Sequence, residues 1–241
     1  RDLVRSRGLG DVYKRQVLGG SIVKEDQFNI ETLIVAILVM LTIINIDVVH
    51  VTEAQSVKIE IETEEDIPIV SDVFITVDDA KKWAQGKGAT KEFVELADLY
   101  WEYSNEHGDV NPALAYVQAA KETAYGNFGG VLDASYHNPC GLKTNKGGSD
   151  KDPKAHMKFK SWNEGVKAHL DHLALYAGAE GYPKAETKDP RHFASIFGKA
   201  NSVIDLSKNW APSPTYGEEI LGMYNEMMEG AGNRDIEVMN I

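Results

Sequence analysis

The sequence predicts a mostly α-helical fold of the α+β class, with a small lobe of loop or β-hairpin set among the helices. Three observations predict it. From Asp78 onward, apolar residues recur at three- and four-residue steps, the period of helices with one buried face. Helix-opening signals precede those stripes, namely Pro112, Ser161 with Glu164, and Pro214-Thr215 with Glu218. Between Gly126 and Lys160 this grammar gives way to the closely spaced turn pairs Gly129-Gly130, Asn138-Pro139, Gly147-Gly148 and Asp152-Pro153.

The elements follow in order. Phe93, Leu96, Ala97, Tyr100 and Tyr103 give the stretch from Lys91 to Ser104 one apolar face, and Gly108 ends it. Pro112 sits where a first-turn proline belongs, and the alanine-rich stretch to Lys121 suits a central, closely packed helix. After the loop lobe, Ser161 and Glu164 form a capping-box pattern. Val166, Leu170, Leu173, Ala174 and Ala177 then make the buried stripe, closed by Gly178 and Gly181. Asp189-Pro190 predicts a helix ending at Gly198, and Ser202 to Lys208 a short one. Pro214 and Thr215 start the last helix, which buries Ile220, Met223, Tyr224 and Met227. No internal repeat is visible.

The chain of 241 residues is 43% hydrophobic and 26% charged, enough for one good-sized domain with extensions. A net charge of −12 argues against nucleic-acid binding, since nothing neutralises phosphates. One cysteine, Cys140, permits no internal disulfide, so stability must come from packing. Residues 1–16 are basic and without amphipathic period, and read as a non-native leader or a disordered tail. Residues 17–54 read as a signal peptide or membrane anchor. The uncharged run from Leu33 to Ile44 is short for a membrane span of roughly twenty residues but suits a signal core, and Thr52-Glu53-Ala54 offers small residues for cleavage. An uncleaved anchor would use residues 33–51, from Leu33 to Val51, with Asp47 and His50 opposing it; a buried strand or helix is the third option. Residues 55–80, where Val57, Ile59 and Ile61 alternate with charges, read as an acidic linker with short extended segments. Residues 81–230 form the expected main domain and 231–241 a tail.

Glu122 is the candidate general acid. It ends the alanine-rich helix beside the glycine- and aromatic-rich turn from Thr123 to Gly130. The helix's carboxyl end and apolar neighbours both disfavour ionisation, which raises a carboxyl pKa and keeps a proton available for a leaving group. Competing explanations exist for each candidate. Glu122 also reads as a solvated helix-end residue, Tyr216 and Trp162 as packing residues, Asn138 as a turn former and Asp152 as a turn starter. His137, Cys140, His156, His169 and His172 open a rival class, a zinc-dependent amidase, and Cys140 with His137 or His156 a nucleophilic pair. Neither has the expected spacing: His169 and His172 stand three apart without a zincin glutamate, and Cys140 is flanked by turn residues.

Four blocks in order resemble a known family. Ala119-Ala120-Lys121-Glu122-Thr123-Ala124-Tyr125-Gly126 resembles the helix-end motif of bacterial endo-β-N-acetylglucosaminidases, the glucosaminidase domains of peptidoglycan hydrolases and autolysins. Asn138-Pro139-Cys140-Gly141-Leu142-Lys143 is similar to the family's Asn-Pro/Leu-Phe-Gly-Ile/Val-Lys segment. Lys158-Phe159-Lys160-Ser161-Trp162 is similar to its Phe-x-x-Tyr/Trp stretch, and Trp210-Ala211-Pro212-Ser213-Pro214-Thr215-Tyr216 to its late Ala-Thr-Asp-Pro-x-Tyr motif. The resemblance implies a lysozyme-like helical fold with a cleft, and cleavage after N-acetylglucosamine in peptidoglycan glycan strands. It also implies catalytic roles for Glu122 as acid and Tyr216 as a cleft tyrosine. Ala124 and Tyr125 stand where the family has glycine and tryptophan, and no glutamate lies between Asn127 and Lys160, where some members keep a second carboxylate.

Asp133, Asp150 and Asp152 are the carboxylates available there. Asp150 or Asp152 could activate water, or the substrate's own 2-acetamido group could take part. Tyr125, Phe128, Asn138, Trp162 and Trp210 are the candidate substrate-binding residues, the rings for stacking on sugar faces and Asn138 for the acetamido group. The expectation is a secreted or cell-surface, monomeric hydrolase without metal or cofactor. A wall-binding module without turnover is the non-enzymatic alternative.

Overall fold

The computed structural model describes residues 65–239, with side chains through residue 231, and this part holds six α-helices and no β-strand. It falls within one compact unit, Glu62–Ile241. Helix α1 (Val77–Gly86) opens on a capping box between Thr76 and Asp79. Helix α2 (Lys91–Tyr103) is capped by the Thr90 hydroxyl, and α3 (Pro112–Thr123) by the Asn111 side chain, which accepts from the Ala113 and Leu114 N–H groups. Helix α4 (Trp162–Ala177) starts at Ser161 and closes on left-handed Gly178. The single turn α5 (Leu206–Asn209) leads to α6 (Tyr216–Met239).

Helix α3 is the axle of the domain. Its residues from Pro112 to Ala120 are all buried, and it packs against α2, α4 and α6. The small Ala113, Ala115, Ala119 and Ala120 let these neighbours approach, while Leu114 and Tyr116 fill the spaces between them. Phe93 of α2 stacks on Tyr116 at 4.8 Å between ring centroids. Leu170 and Leu173 of α4 and Ile220 and Met227 of α6 complete the core. Each such side chain, fully buried, contributes about 1.5–3 kcal/mol. The five apolar residues expected to face inward from α2 are all buried.

Several expectations are corrected. The lobe between α3 and α4 contains no hairpin strands. One antiparallel bridge, Lys143↔His156, ties it, flanked by bonds from the Thr144 N–H to Ala155 O and from the Met157 N–H to Leu142 O. The ladder stops there because the Asn138 amide also donates to the Leu142 and Met157 carbonyls, and because left-handed Gly147 and Gly148 turn the chain away. No α-helix follows Asp189-Pro190. The Asp189 carboxylate accepts from the Arg191 N–H and also from the His172 and His192 rings, which pins the chain as a turn; only a 3-10 segment, Ala194–Ile196, forms. The short helix expected from Ser202 shrinks to α5.

The linker expected over 55–80 is, in its described part, integral to the domain. Ile69 is fully buried, and Pro68 and Val70 form bridges to Ser202 and Val110. The tail expected over 231–241 continues α6 to Met239. At α4, Glu164 donates its N–H to Ser161 as expected, but its carboxylate reaches the Lys160 N–H, one residue before the cap. The leader (1–16), the signal or anchor segment (17–54) and the first part of the linker lie outside the described residues. Among the described residues no helix is long and apolar enough to cross a membrane.

Candidate active site

Glu122 is carried in the last turn of α3, where the helix unwinds into Ala124, Tyr125 and Gly126, all at positive φ. The Thr123 hydroxyl donates to Ala119 O and accepts from the Gly126 N–H, and the Tyr125 N–H returns to Ala120 O. These bonds satisfy the helix end without using the neighbouring carboxylate. Glu122 is thereby left to project from a buried helix onto an exposed groove surface.

A buried chain of hydrogen bonds runs to this carboxylate through four helices. The Gln118 Nε2 group donates to the Tyr216 hydroxyl at 3.0 Å, and the Tyr216 hydroxyl donates to Glu122 Oε1. The amide oxygen of Gln118 meets His169 Nε2 at 2.9 Å, and His169 Nδ1 meets the Tyr100 hydroxyl at 2.8 Å. The directions fix one another. Gln118 can only accept from His169, so Nε2 carries the ring proton, Nδ1 is the acceptor and Tyr100 donates. Burial pushes the His169 pKa down to about 3, with the neighbouring His172 adding to the shift, so the ring is neutral at ordinary pH. Burial likewise holds Tyr216 protonated, with its pKa far above the usual range; the Glu122 charge reinforces this.

Although Glu122 faces the groove, the protein packed around its carboxyl strips away solvent and raises its pKa above the ordinary glutamate value. The hydrogen bond from Tyr216, the Lys121 charge and a hydrogen bond from Trp210 oppose the rise without cancelling it. Oε1 accepts from Tyr216, which leaves Oε2 as the oxygen that an acid proton would occupy. That oxygen faces Gly141, where a Cβ would stand 3.9 Å away. Gly217 lets the start of α6 lie against the backbone of Val203 and Ile204, which sets the position of Tyr216, and Gly165 lets the His137 backbone and the Pro139 ring lie against α4.

Glu122 stands where two cavities meet, one of about 220 Å³ and one of about 570 Å³, both also lined by Gly141. Phe128 lines the smaller, and Trp210 and Asp150 line the larger. The Trp210 ring also packs against His169 and His172. The groove therefore gathers Glu122, Phe128, Trp210 and Asp150, whereas Tyr216, expected to face the cleft, is buried, lines neither cavity and reaches Glu122 from the interior. Asp150 is solvent-exposed, and its bond to Lys143 holds its carboxyl below the usual range.

The remaining predicted residues serve other purposes. Asp152 caps the 3-10 segment Pro153–Ala155 through the Lys154 N–H. Tyr125 packs on Trp83 and Phe93, on the α1–α2 side, and lines neither cavity. Trp162 donates its indole N–H to Glu92 at 2.8 Å and lies against His137, linking α4 to α2. Asn138 lines the smaller cavity, but both its donors and its oxygen are committed to the turn it closes, with Leu142 O, Met157 O and the Cys140 and Leu142 N–H groups. No donor remains for an acetamido group.

The residues behind the rival chemistries are dispersed. Cys140 packs with Leu142, Phe159 and Ala168, and burial pushes its thiol far up, which removes the thiolate a nucleophile needs. His137 bonds Phe159 O, His156 bonds Asp152 O and His172 bonds Asp189. Among the described residues no three histidine, cysteine or acidic side chains are grouped so as to hold a metal.

Sequence reasoning missed Gln118, His169 and Tyr100. Gln118 had a signal: it stands one helical turn before Glu122, as the one amide in an alanine-rich, buried helix. A polar residue there needs a buried partner.

A buried helix delivers Glu122, its pKa raised, into an open groove lined by the Phe128 and Trp210 rings, an arrangement that a glycoside hydrolase can use for acid catalysis. The comparisons agree. The family model for Glucosaminidase, described as mannosyl-glycoprotein endo-beta-N-acetylglucosaminidase, matches residues 97–229, and the chain belongs to this family, which acts on glycans. A protein of Borreliella burgdorferi described as an uncharacterized protein is 29% identical over 120 residues, 50% of this chain. The chain spans 56% of that relative's length. No solved structure matches the chain.

Proposed function

We propose that the chain cleaves the β-1,4 bond after N-acetylglucosamine in peptidoglycan glycan strands, with Glu122 as general acid. The observation that supports this reading is the bond from Tyr216 to Glu122 Oε1, which leaves Oε2, on the groove side, as the oxygen that would carry the catalytic proton. Phe128 and Trp210 supply rings for sugar faces on either side of the acid. The helical domain with its loop lobe is read as a lysozyme-like arrangement. A substrate of this kind lies outside the cytoplasm, so a secreted or cell-surface enzyme follows from the reading.

The second group is the substrate itself. Asp150 is exposed and tied to Lys143, which makes it a poor base, and Asp152 is spent on its cap. In the first step Glu122 gives its proton to the leaving oxygen, while the 2-acetamido oxygen attacks the anomeric carbon and the glycosidic C–O bond breaks. In the second, water gives a proton back to the Glu122 carboxylate and opens the cyclic intermediate at the anomeric carbon. The outcome is retention of configuration.

Incubation with purified peptidoglycan should release new reducing ends of retained configuration and no new amino groups. Glu122→Gln should lower kcat by about 10³-fold or more with an unchanged melting temperature. Amino-group release, or full activity in the variant, would sink the assignment.

A further inference from the structure

The larger cavity holds cationic or titratable side chains whose charges are almost all answered within the protein. Lys143 pairs with Asp150 at 2.6 Å and also donates to Gly148 O. His172 bonds Asp189 at 2.7 Å, and His156 bonds the Asp152 carbonyl. Arg191 differs. Among the described residues its guanidinium makes no hydrogen bond and no ion pair. It lies instead over the Phe193 ring, 4.7 Å from the centroid.

The placement is built from both sides. The Arg191 N–H donates to Asp189 Oδ1 at 2.7 Å, which sets the backbone. Asp189 Oδ2 is shared by His172 and His192, so that carboxylate is fully engaged and does not reach the guanidinium. Arg191 Nη1 also approaches the lobe's glycine turn, where a Cβ on Gly147 would stand 3.6 Å away, an ordinary contact. Phe193, 39% exposed, lies against one face of the cation.

A planar fork of N–H donors held by one face matches a carboxylate, which it binds through two parallel bonds. The chain carries a net charge of −12, so it repels an anionic polymer at long range unless a local cation receives it. We propose that Arg191, seated on Phe193, is an anion subsite of the groove that takes a carboxylate borne by the glycan strand, on the lactyl or peptide substituent of a sugar near the cleaved bond. The subsite selects carboxylated strands over neutral N-acetylglucosamine polymers. The inference rests on the glycan-hydrolase reading above and specifies its substrate.

The test is a binding titration of the full chain carrying Glu122→Gln, which blocks turnover. Three probes are compared: a soluble peptidoglycan fragment with free carboxylates, the same fragment with its carboxylates amidated, and the neutral N-acetylglucosamine tetramer. Adding Arg191→Gln should raise Kd for the carboxylated fragment by about fivefold at low salt. It should change Kd for the other two by less than about twofold, and Arg191→Lys should restore part of the difference. Equal weakening on all three probes, no change on the carboxylated one, or no binding of it at all would overturn the subsite. Failure of the hydrolase reading is read separately, as an absence of new reducing ends when the unsubstituted chain meets any of these glycans.

Discussion

The hydroxyl of Tyr216, in the first turn of α6, donates to Oε1 of Glu122, in the last turn of α3, and so decides which carboxyl oxygen can carry the acid proton. Two helix ends far apart in sequence meet at one bond. The Lys121–Glu219 ion pair beside it ties the same two helices together.

Tyr216→Phe keeps the ring and removes that bond. The bond favours the carboxylate, so its loss raises the Glu122 pKa further above the ordinary value. Activity requires the protonated acid and declines as pH rises through its pKa. The alkaline limb of the kcat/KM profile should therefore move to higher pH. At the original optimum kcat should fall about tenfold, because the proton is no longer confined to Oε2. An unmoved limb would contradict the coupling.

Gln118→Leu leaves the His169 Nε2–H buried without a partner and removes the bond that the Tyr216 hydroxyl accepts, leaving only its bond to Glu122. It should lower unfolding stability by about 2 kcal/mol in urea titration, more than a surface amide would. The kcat effect should be non-additive with Tyr216→Phe, since both act on one chain of bonds.

Acid should destabilise the domain in two stages. Buried neutral His169 has its pKa pushed down to about 3, below that of the unfolded chain. Its contribution is complete above about pH 6.5 and is lost as pH falls toward 3. Asp171 is also depressed: burial would raise it, but bonds from His107, Thr187, Tyr182 and Lys184 outweigh that. Its contribution is complete above about pH 4 and is lost below. Urea midpoints measured from pH 7 to pH 3 should fall throughout, and Asp171→Asn should flatten the part below pH 4.

Ala124 occupies a left-handed position with φ of 48°, where a Cβ is strained. Ala124→Gly should stabilise the fold by about 1 kcal/mol, seen as a higher melting temperature, because glycine relieves that strain at the end of α3.

Much of the fold was legible because helix signals are local. The periodic stripe on α2, the proline at the start of α3 and the glycine closing α4 all specify structure within a few residues. The failures came where a distant partner decided the outcome. Asp189-Pro190 has the grammar of a helix start, yet His172, on another element, captured the carboxylate and left a turn. Asn138 and Trp162 were read for sugars because nothing nearby in sequence shows that Met157 O and Glu92 consume their hydrogen bonds. The helix-end placement of Glu122 was legible; the Gln118–His169 support behind it was not, since it joins residues 51 positions apart.

The chain of bonds from Tyr100 to Glu122 draws its members from four helices, and none of them is oriented until all four have docked. Should Glu122 act as proposed, a partly folded polypeptide would own the carboxyl group with nothing to aim it, and competence would arrive only with complete assembly.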